Sequence, residues 1–390
     1  MANSVEEPSG ADSPPGALSS LDNNGEQLQL ILIHNEKAGS GEYSRSTIGK
    51  LLEEAGHRVC AFSPQRDKLK KALKQPADLI VIAGGDGAVT KVIDHAKAKG
   101  PPLTILPLGT ANNIATSLGI TGEPAALIET WDPLKIRSFY RLYAKGPWGR
   151  RRIIEGIGFG CFEQTMDEMG TLKPDIERAR QWLADAILRT PPERLTVEFD
   201  SAALMEEFTL LEVTNIPLVG PRIHLAPFAN PSDPLVMVSF VGARRADRLE
   251  LSRWLKRAAP NEAAPVTTRA ARRVVIEGEI RRVRLNDKNW TAKTEISENS
   301  FDSVVIEAGV KPLHFLVPRL EALTAPRAEA IFTASYAGGR AKRASRQALS
   351  YVISKGPTLD PTKSQPLAII TPAEITPSDV HADEVERIRL

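Results

Sequence analysis

Cysteine is nearly absent from this 390-residue chain: only Cys60 and Cys161 occur, and they fit no metal-binding spacing. One possible pair is no disulfide framework, so a secreted, cross-linked design is excluded and a reducing cytoplasm is the expected home. Aromatic residues make up 5% of the chain and no nucleic-acid-binding motif accompanies them, so nucleic acid is the weaker partner. Charge of one sign is lacking as well. Lys plus Arg is 50 against 48 for Asp plus Glu, so any basic surface must be local. The six histidines show no ligand spacing, and no zinc is assigned. No run approaches the ~20 apolar residues of a membrane-spanning helix. Residues 1–24 contain no Lys or Arg, lack the layout of a signal peptide and read as a disordered leader. Any contact with lipid would therefore be from the water side.

What is present is organised in two styles. Apolar runs such as "LQLILIHN", "HRVCAFS", "DLIVIAG" and "LTILPLG" alternate with helical stretches over residues 25–135. That alternation implies βαβ crossovers and a Rossmann-like, mainly parallel sheet. From 136 to 318 the chain changes to short alternating strands separated by turn residues, among them "RLTVEFD", "FTLLEVTNI", "LVMVSFVG" and "RRVVIEGE". This predicts a second, β-rich domain of sandwich type ending near "LHFLVP", with one polar helix inside it, "KPDIERARQWLADAILRT". Residues 319–390 are expected to be a helical and flexible tail. The fold class is α/β with a parallel-sheet domain followed by a β-rich one.

Two turns carry the chemistry. "DLIVIAGGDGAVT" ends an apolar run in Gly84-Gly85-Asp86-Gly87, and "LTILPLGTANNIATSLG" ends another in Gly109-Thr110-Ala111-Asn112. In an α/β sheet ligands bind beyond the carboxyl ends of the strands. Glycines there allow close approach of a ligand, and exposed N–H groups at a helix start can hold phosphate oxygens. Asp86 would repel a bare phosphate, so it orients either a nucleotide's Mg²⁺ shell or an attacking hydroxyl; the alternative is an N-cap. Neither G-x-x-x-x-G-K-[ST] nor G-x-G-x-x-G follows the first strand. The first turn reads "HNEKAGSG", where Lys37 is either a phosphate contact or a solvated loop lysine.

Together these stretches resemble the diacylglycerol kinase catalytic domain family, which includes bacterial lipid kinases and sphingosine kinases within a wider NAD kinase-like superfamily. The resemblance runs from about Leu28 to Pro318. The family's N-P-x-x-G turn corresponds to Asn35-Glu36-Lys37-Ala38-Gly39, its G-G-D-G-T to Gly84–Ala88, and its P-L-G-T-x-N to Pro107–Asn112. It implies ATP held by Gly84, Gly85, Asp86, Gly87, Ala88, Val89 and Thr90. Gly109, Thr110 and Asn112 would face these, with Ser63 as a further contact. It also implies a structural Mg²⁺ at Asp233, flanked by Asn230 and Leu235, where the sequence alone equally allows a surface turn.

The departures are informative. Where the family has Asp-Gly-Glu, with the Glu as proton acceptor, this chain reads Asn286-Asp287-Lys288; Ala88, Lys91 and Pro234 are further losses. The resemblance implies an ATP- and Mg²⁺-dependent lipid kinase acting on a diacylglycerol-like hydroxyl, and Asp86 is expected beside the transferring group. Lys288 is either a substitute phosphate clamp with neighbouring Asp287 as base, a mark of lost catalysis, or a surface lysine on a misaligned turn. The rival is a pseudokinase that binds nucleotide or lipid without turnover. Lys288 decides between them, and Lys288→Glu is expected to raise activity. Residues 241–285 carry 12 Arg and Lys against 5 Asp and Glu, either a solvated face or a contact for an anionic membrane.

Overall fold

The computed structural model describes residues 27–39, 41–169, 175–200, 202–257, 262–291 and 302–318. The expected leader and tail lie outside the described residues. The first layer begins with β1 (Gln29–His34), α1 (Arg45–Glu54), β2 (Arg58–Phe62), α2 (Arg66–Ala72), β3 (Leu79–Gly84), α3 (Asp86–His95) and β4 (Leu103–Pro107). Two short helices follow, α4 (Asn113–Ser117) and α5 (Pro124–Glu129), then strand β5 (Trp131–Phe139). Strands β2, β1, β3 and β4 pair in that order, all parallel. Helices cover this sheet, so β3 reads as an unbroken apolar run and all six of its residues are buried. Local chemistry sets the helix ends. The Ser44 hydroxyl accepts the Thr47 amide at 3.0 Å to start α1, and Gly56, at φ +89°, turns the chain after it.

The second layer is antiparallel. In chain order it contains β6 (Leu142–Gly146), β7 (Gly149–Ile153), β8 (Ile157–Gly160), α6 (Cys161–Met169), α7 (Ile176–Arg189), β9 (Glu193–Phe199) and β10 (Ala202–Thr214). The hairpin strands β11 (Leu218–Val219) and β12 (Ile223–His224), then β13 (Val236–Gly242) and α8 (Arg245–Arg257), come next. β14 (Thr267–Ala271), β15 (Arg273–Gly278), β16 (Arg282–Leu285), β17 (Lys288–Thr291) and β18 (Asp302–Ala308) complete it. Apart from the β11–β12 hairpin, these strands form one eleven-stranded sheet. The long β10 pairs with β9 along its first half, with β8 along its second, and with β13 as well. Phe159, Val197, Phe208, Val238 and Ile276 lie in its core. Helices α6, α7 and α8 share a further apolar cluster with Leu210 and Val241, through Phe162, Leu183, Ile187, Leu251 and Trp254.

One strand departs from the sequence expectation. "LHFLVP" does not end the β-rich stretch but returns to the first sheet as β19 (Leu313–Pro318), parallel to β4 and antiparallel to β5. Packing explains this: Phe315 is fully buried against Phe139, with ring centroids 5.6 Å apart, and Thr104 Oγ1 donates to the Leu316 carbonyl at 3.0 Å.

Candidate functional site

Three turns meet at the carboxyl ends of β1, β3 and β4. Gly84 and Pro107 are register partners, the Leu108 amide donates to the Gly84 carbonyl at 3.1 Å, and the Asn35 amide donates to the Ala83 carbonyl at 2.9 Å. The two glycine turns thus lie side by side. A methyl group added at Gly85 would stand 2.8 Å from Gly109 Cα, and one at Gly84 2.8 Å from Ala88 Cβ. These glycines let the two turns touch each other, and none of Gly84, Gly85, Gly87 or Gly109 has a positive φ. Gly87 differs, because nothing lies within 4 Å of a methyl added there. Gly39 is held by geometry of another kind: φ is +66°, and its Cβ would meet the Leu108 carbonyl oxygen at 2.7 Å.

Asp86 opens α3, but its carboxylate serves α4. Oδ2 accepts the Asn113 amide at 3.0 Å and Oδ1 accepts the Ile114 amide at 2.9 Å. Burial pushes this carboxyl up, and the two N–H bonds and the Arg222 charge pull against that. Asn112, at φ +52°, closes its own turn: Oδ1 accepts the Gly109 amide at 2.9 Å and Nδ2 donates to the Gly109 carbonyl at 2.7 Å. Val89 lies in the first core, 1% exposed, so its side chain is packing and not a nucleotide contact. Ser63 accepts the Gln65 amide at 3.3 Å just before α2, beside Pro64 and Arg66, which line a cavity of about 960 Å³.

The residue that sequence reasoning missed is Glu155, between β7 and β8. Thr90 Oγ1 donates to its Oε1 at 3.1 Å. Burial, then the negative charge of Asp86, pushes the Glu155 carboxyl up to about 7, while Arg284 opposes the rise. Asn286 holds the turn that carries it. Its Oδ1 accepts the Ile154 amide at 2.7 Å and the Glu155 amide at 3.1 Å, and its own amide donates to the Gly156 carbonyl at 2.9 Å. Asn286 adopts φ +56°, as a two-residue hairpin between paired Leu285 and Lys288 requires. Arg284 sits beneath, 6% exposed, bonded to buried Glu212 at 2.5 Å and to the Asn286 carbonyl at 2.5 Å. Burial opposes its charge, and Glu212, Glu155 and Asp287 more than restore it. Asp287 and Lys288 are both exposed. The available signal was a lone carboxylate inside the apolar run "RRIIEGIGFG", which a buried strand end tolerates only with partners.

Three cavities converge on these groups. The largest, about 960 Å³, is lined by Arg66, Lys91, Arg152, Trp148, Trp290 and Lys288 among others. One of about 240 Å³ lies between the turns, with Lys37, Gly39, Gly87, Lys91 and Thr110 on its wall. The third, about 310 Å³, runs under α6 and α7 past Phe162, Ile176, Ala179 and Leu183 to Glu155 and Asp287. Gly87 and Lys91 border the first two, Thr110 the second and third, and Asp287 the first and third.

The 230–235 turn does not fit a divalent cation. Asn230 Oδ1 accepts the Ser232 amide at 3.1 Å and Arg137 Nη2 at 3.3 Å, and the Asn230 carbonyl accepts the Asp233 amide at 3.0 Å. The Arg137 charge acts on Asp233, so a guanidinium supplies the positive charge that the resemblance assigns to Mg²⁺ there. Leu235, partly buried at the end of this turn, leads into β13. Among the described residues no group of three or more His, Cys, Asp or Glu is placed to hold a metal. The basic stretch 241–285 is also largely engaged within the fold: Lys256 pairs with Asp185 at 2.8 Å, Arg257 with Glu262 at 2.6 Å, Arg282 with Glu163 at 2.9 Å, and Arg248 donates to the carbonyls of Ile187, Leu188 and Thr190.

Residues 29–138, which supply all the glycine turns, match the diacylglycerol kinase catalytic domain. Over that segment the chain is similar to that family. A diacylglycerol kinase of Bacillus subtilis is 26% identical over 214 residues, 52% of this chain and 70% of the relative. One from Staphylococcus haemolyticus is 30% identical over 101 residues, 24% of this chain, so the match spans 31% of that relative's length. In structure, a diacylglycerol kinase from Bacillus anthracis superposes with a TM-score of 0.52 at 17% identity, over 75% of this chain and 98% of that one. The shared fold therefore includes the antiparallel sheet as well as the kinase-family domain. No helix among the described residues is long and apolar enough to cross a membrane.

Proposed function

We propose that this protein is an ATP-dependent lipid kinase, transferring the γ-phosphate to the hydroxyl of a neutral, diacylglycerol-like lipid. One observation carries the reading: a basic cavity, a small lysine-lined cavity and an apolar cavity meet at Gly87, Thr110 and Asp287. Phosphoryl transfer needs little more from a protein than in-line positioning and charge neutralisation. The basic cavity suits a nucleotide. Lys37, Lys91 and the N-terminus of α3 suit its phosphates, with Mg²⁺ arriving on the nucleotide and spreading their charge. The apolar cavity suits acyl chains, its polar end presenting a hydroxyl toward Thr110. Asp86 contributes by fixing α4 against α3, which sets the distance between the two glycine turns.

The relatives named diacylglycerol kinase support the same reading. The acceptor resides in a bilayer, so the protein would work as a cytoplasmic enzyme in peripheral contact with the membrane. The test is transfer of labelled phosphate from ATP to a panel of neutral lipids in mixed micelles, with nucleotide binding followed by calorimetry. Labelled lipid supports the proposal. Tight nucleotide binding without labelling of any lipid overturns it in favour of a binding protein, the reading that exposed Lys288 favours.

A further inference from the structure

A lipid hydroxyl attacking phosphorus must give up its proton, and the residue that takes it has to reach both the phosphate side and the acceptor side of the site. Asp287 lines both cavities but is exposed on a hairpin tip. Lys288, an ammonium on the exposed first residue of β17, is not a base in that form. Both Asp86 oxygens are held by the amides of α4.

Glu155 meets the requirements. It lines the apolar cavity within the group that includes Thr110 and Asp287, and it is bonded to Thr90, a wall residue of the nucleotide-side cavity. Asn286 Oδ1 accepts the Ile154 and Glu155 amides and so fixes the backbone, Thr90 bonds the carboxyl, and the charge of Arg284, itself anchored by Glu212, acts on it. The groups acting on it are Asp86 from α3, Arg284 from β16, Asp287 from the hairpin and the Thr90 hydroxyl.

We propose that Glu155 is the proton acceptor of the transfer, a position the glycine-turn motifs do not point to. The inference rests on the lipid kinase reading. The acceptor oxygen forms its bond to the γ-phosphorus as the bond from that phosphorus to the bridging oxygen breaks. The electron pair of the broken bond leaves with ADP, and the hydroxyl proton passes to a Glu155 carboxylate oxygen, from which solvent removes it. The charge balance of the site fits this role. Asp86 and Asp287 press negative charge on the buried Glu155 carboxyl, Arg284 opposes them and Thr90 donates to its Oε1, a setting suited to a group that loads and unloads a proton near neutral pH.

The experiment compares wild type, Glu155→Gln, Glu155→Asp and Asp287→Asn in the labelled-phosphate assay across pH 5.5–9, with calorimetric binding of a non-hydrolysable ATP analogue. The expected result is a wild-type kcat that rises with pH through about 7. Glu155→Gln should lose that rise and about 100-fold or more of kcat, with analogue affinity within about threefold of wild type. Glu155→Asp keeps the pH-dependent limb at an intermediate rate, which a merely structural role would not produce. A Glu155→Gln enzyme with wild-type kcat, or a limb abolished by Asp287→Asn and kept by Glu155→Gln, overturns the assignment and leaves the kinase reading standing. No labelled lipid from wild type at any pH removes both.

Discussion

Replacing Glu155 by glutamine should make the protein more stable in alkaline buffer and leave it almost unchanged in acid. The carboxyl is pushed from an ordinary 4.5 to about 7, first by burial and then by the charge of Asp86. At about 1.4 kcal/mol per pH unit, keeping it ionised costs the folded state about 3 kcal/mol well above pH 7. The sign follows from which state releases its proton first. The folded value lies above the unfolded one, so the penalty is absent below about 4.5, grows as pH rises toward 7 and is constant beyond it. Glutamine keeps an acceptor for Thr90 Oγ1, now 3.1 Å away, and removes the charge, while Arg284 retains Glu212. Some attraction to Arg284 is lost, so the net gain at pH 8.5 should be about 2 kcal/mol, against under about 0.5 kcal/mol at pH 4.5. Urea unfolding at the two pH values measures this directly, with the m-value as a check on the transition. An equal effect at both pH values, or a destabilised variant at pH 8.5, would refute the reasoning and place the carboxyl in a far better solvated site.

Glu212→Ala strands the Arg284 guanidinium in the core and should cost about 3–5 kcal/mol in denaturant unfolding; a loss under about 1 kcal/mol would mean that Glu155 and Asp287 take over the pairing. Gly158→Ala would drive a methyl into the Glu212 carboxylate, so it should fold poorly, whereas Gly87→Ala has open space and should melt as wild type does. Gly85→Ala, whose methyl meets Gly109 Cα at 2.8 Å, should lower Tm before it affects nucleotide binding, which calorimetry on the folded fraction separates. Chelation by EDTA should leave the Tm of the ligand-free protein unchanged, because Arg137 supplies the positive charge at Asn230 and Asp233; a drop of several degrees would restore a metal to that turn. Lys288→Glu, which the sequence alone marks as a gain, should instead weaken nucleotide binding several-fold, because it reverses a charge on the wall shared with Lys91 and Arg152.

The parallel sheet was legible because its strands are continuous apolar runs, and the period of such runs survives any context. The β-rich half was legible as strands but not as connections. β19 reads like its neighbours in sequence, and only the packing of Phe315 on Phe139 sends it back to the first sheet. Helix α8 was read as part of a basic face because four of its 13 residues are buried and the rest are largely charged. Its apolar stripe of Leu251, Trp254 and Leu255 is too narrow to stand out without the partner helix α7.

The site divides the same way. The glycine turns announce themselves, since the backbone contact between Gly85 and Gly109 leaves no room for a side chain unless the turns shift. The acid that completes the site lies elsewhere, because a carboxylate's proton affinity is a property of its neighbours. Burial first, then the charge of Asp86, 69 positions earlier, raises the Glu155 carboxyl, and Arg284, 129 positions later, opposes the rise, groups that no local pattern joins. The hairpin at Asn286–Lys288 then has a consistent account. Where the family resemblance calls for an acid pair, this chain carries an amide that clamps the Glu155 turn and a lysine on the nucleotide wall. An acid at 288, beside Asp287 on the same hairpin, would bring one more negative charge to a site that already holds Asp86, Glu155 and Asp287. Lysine at that position keeps such a charge off the hairpin whose Asn286 clamps the Glu155 turn.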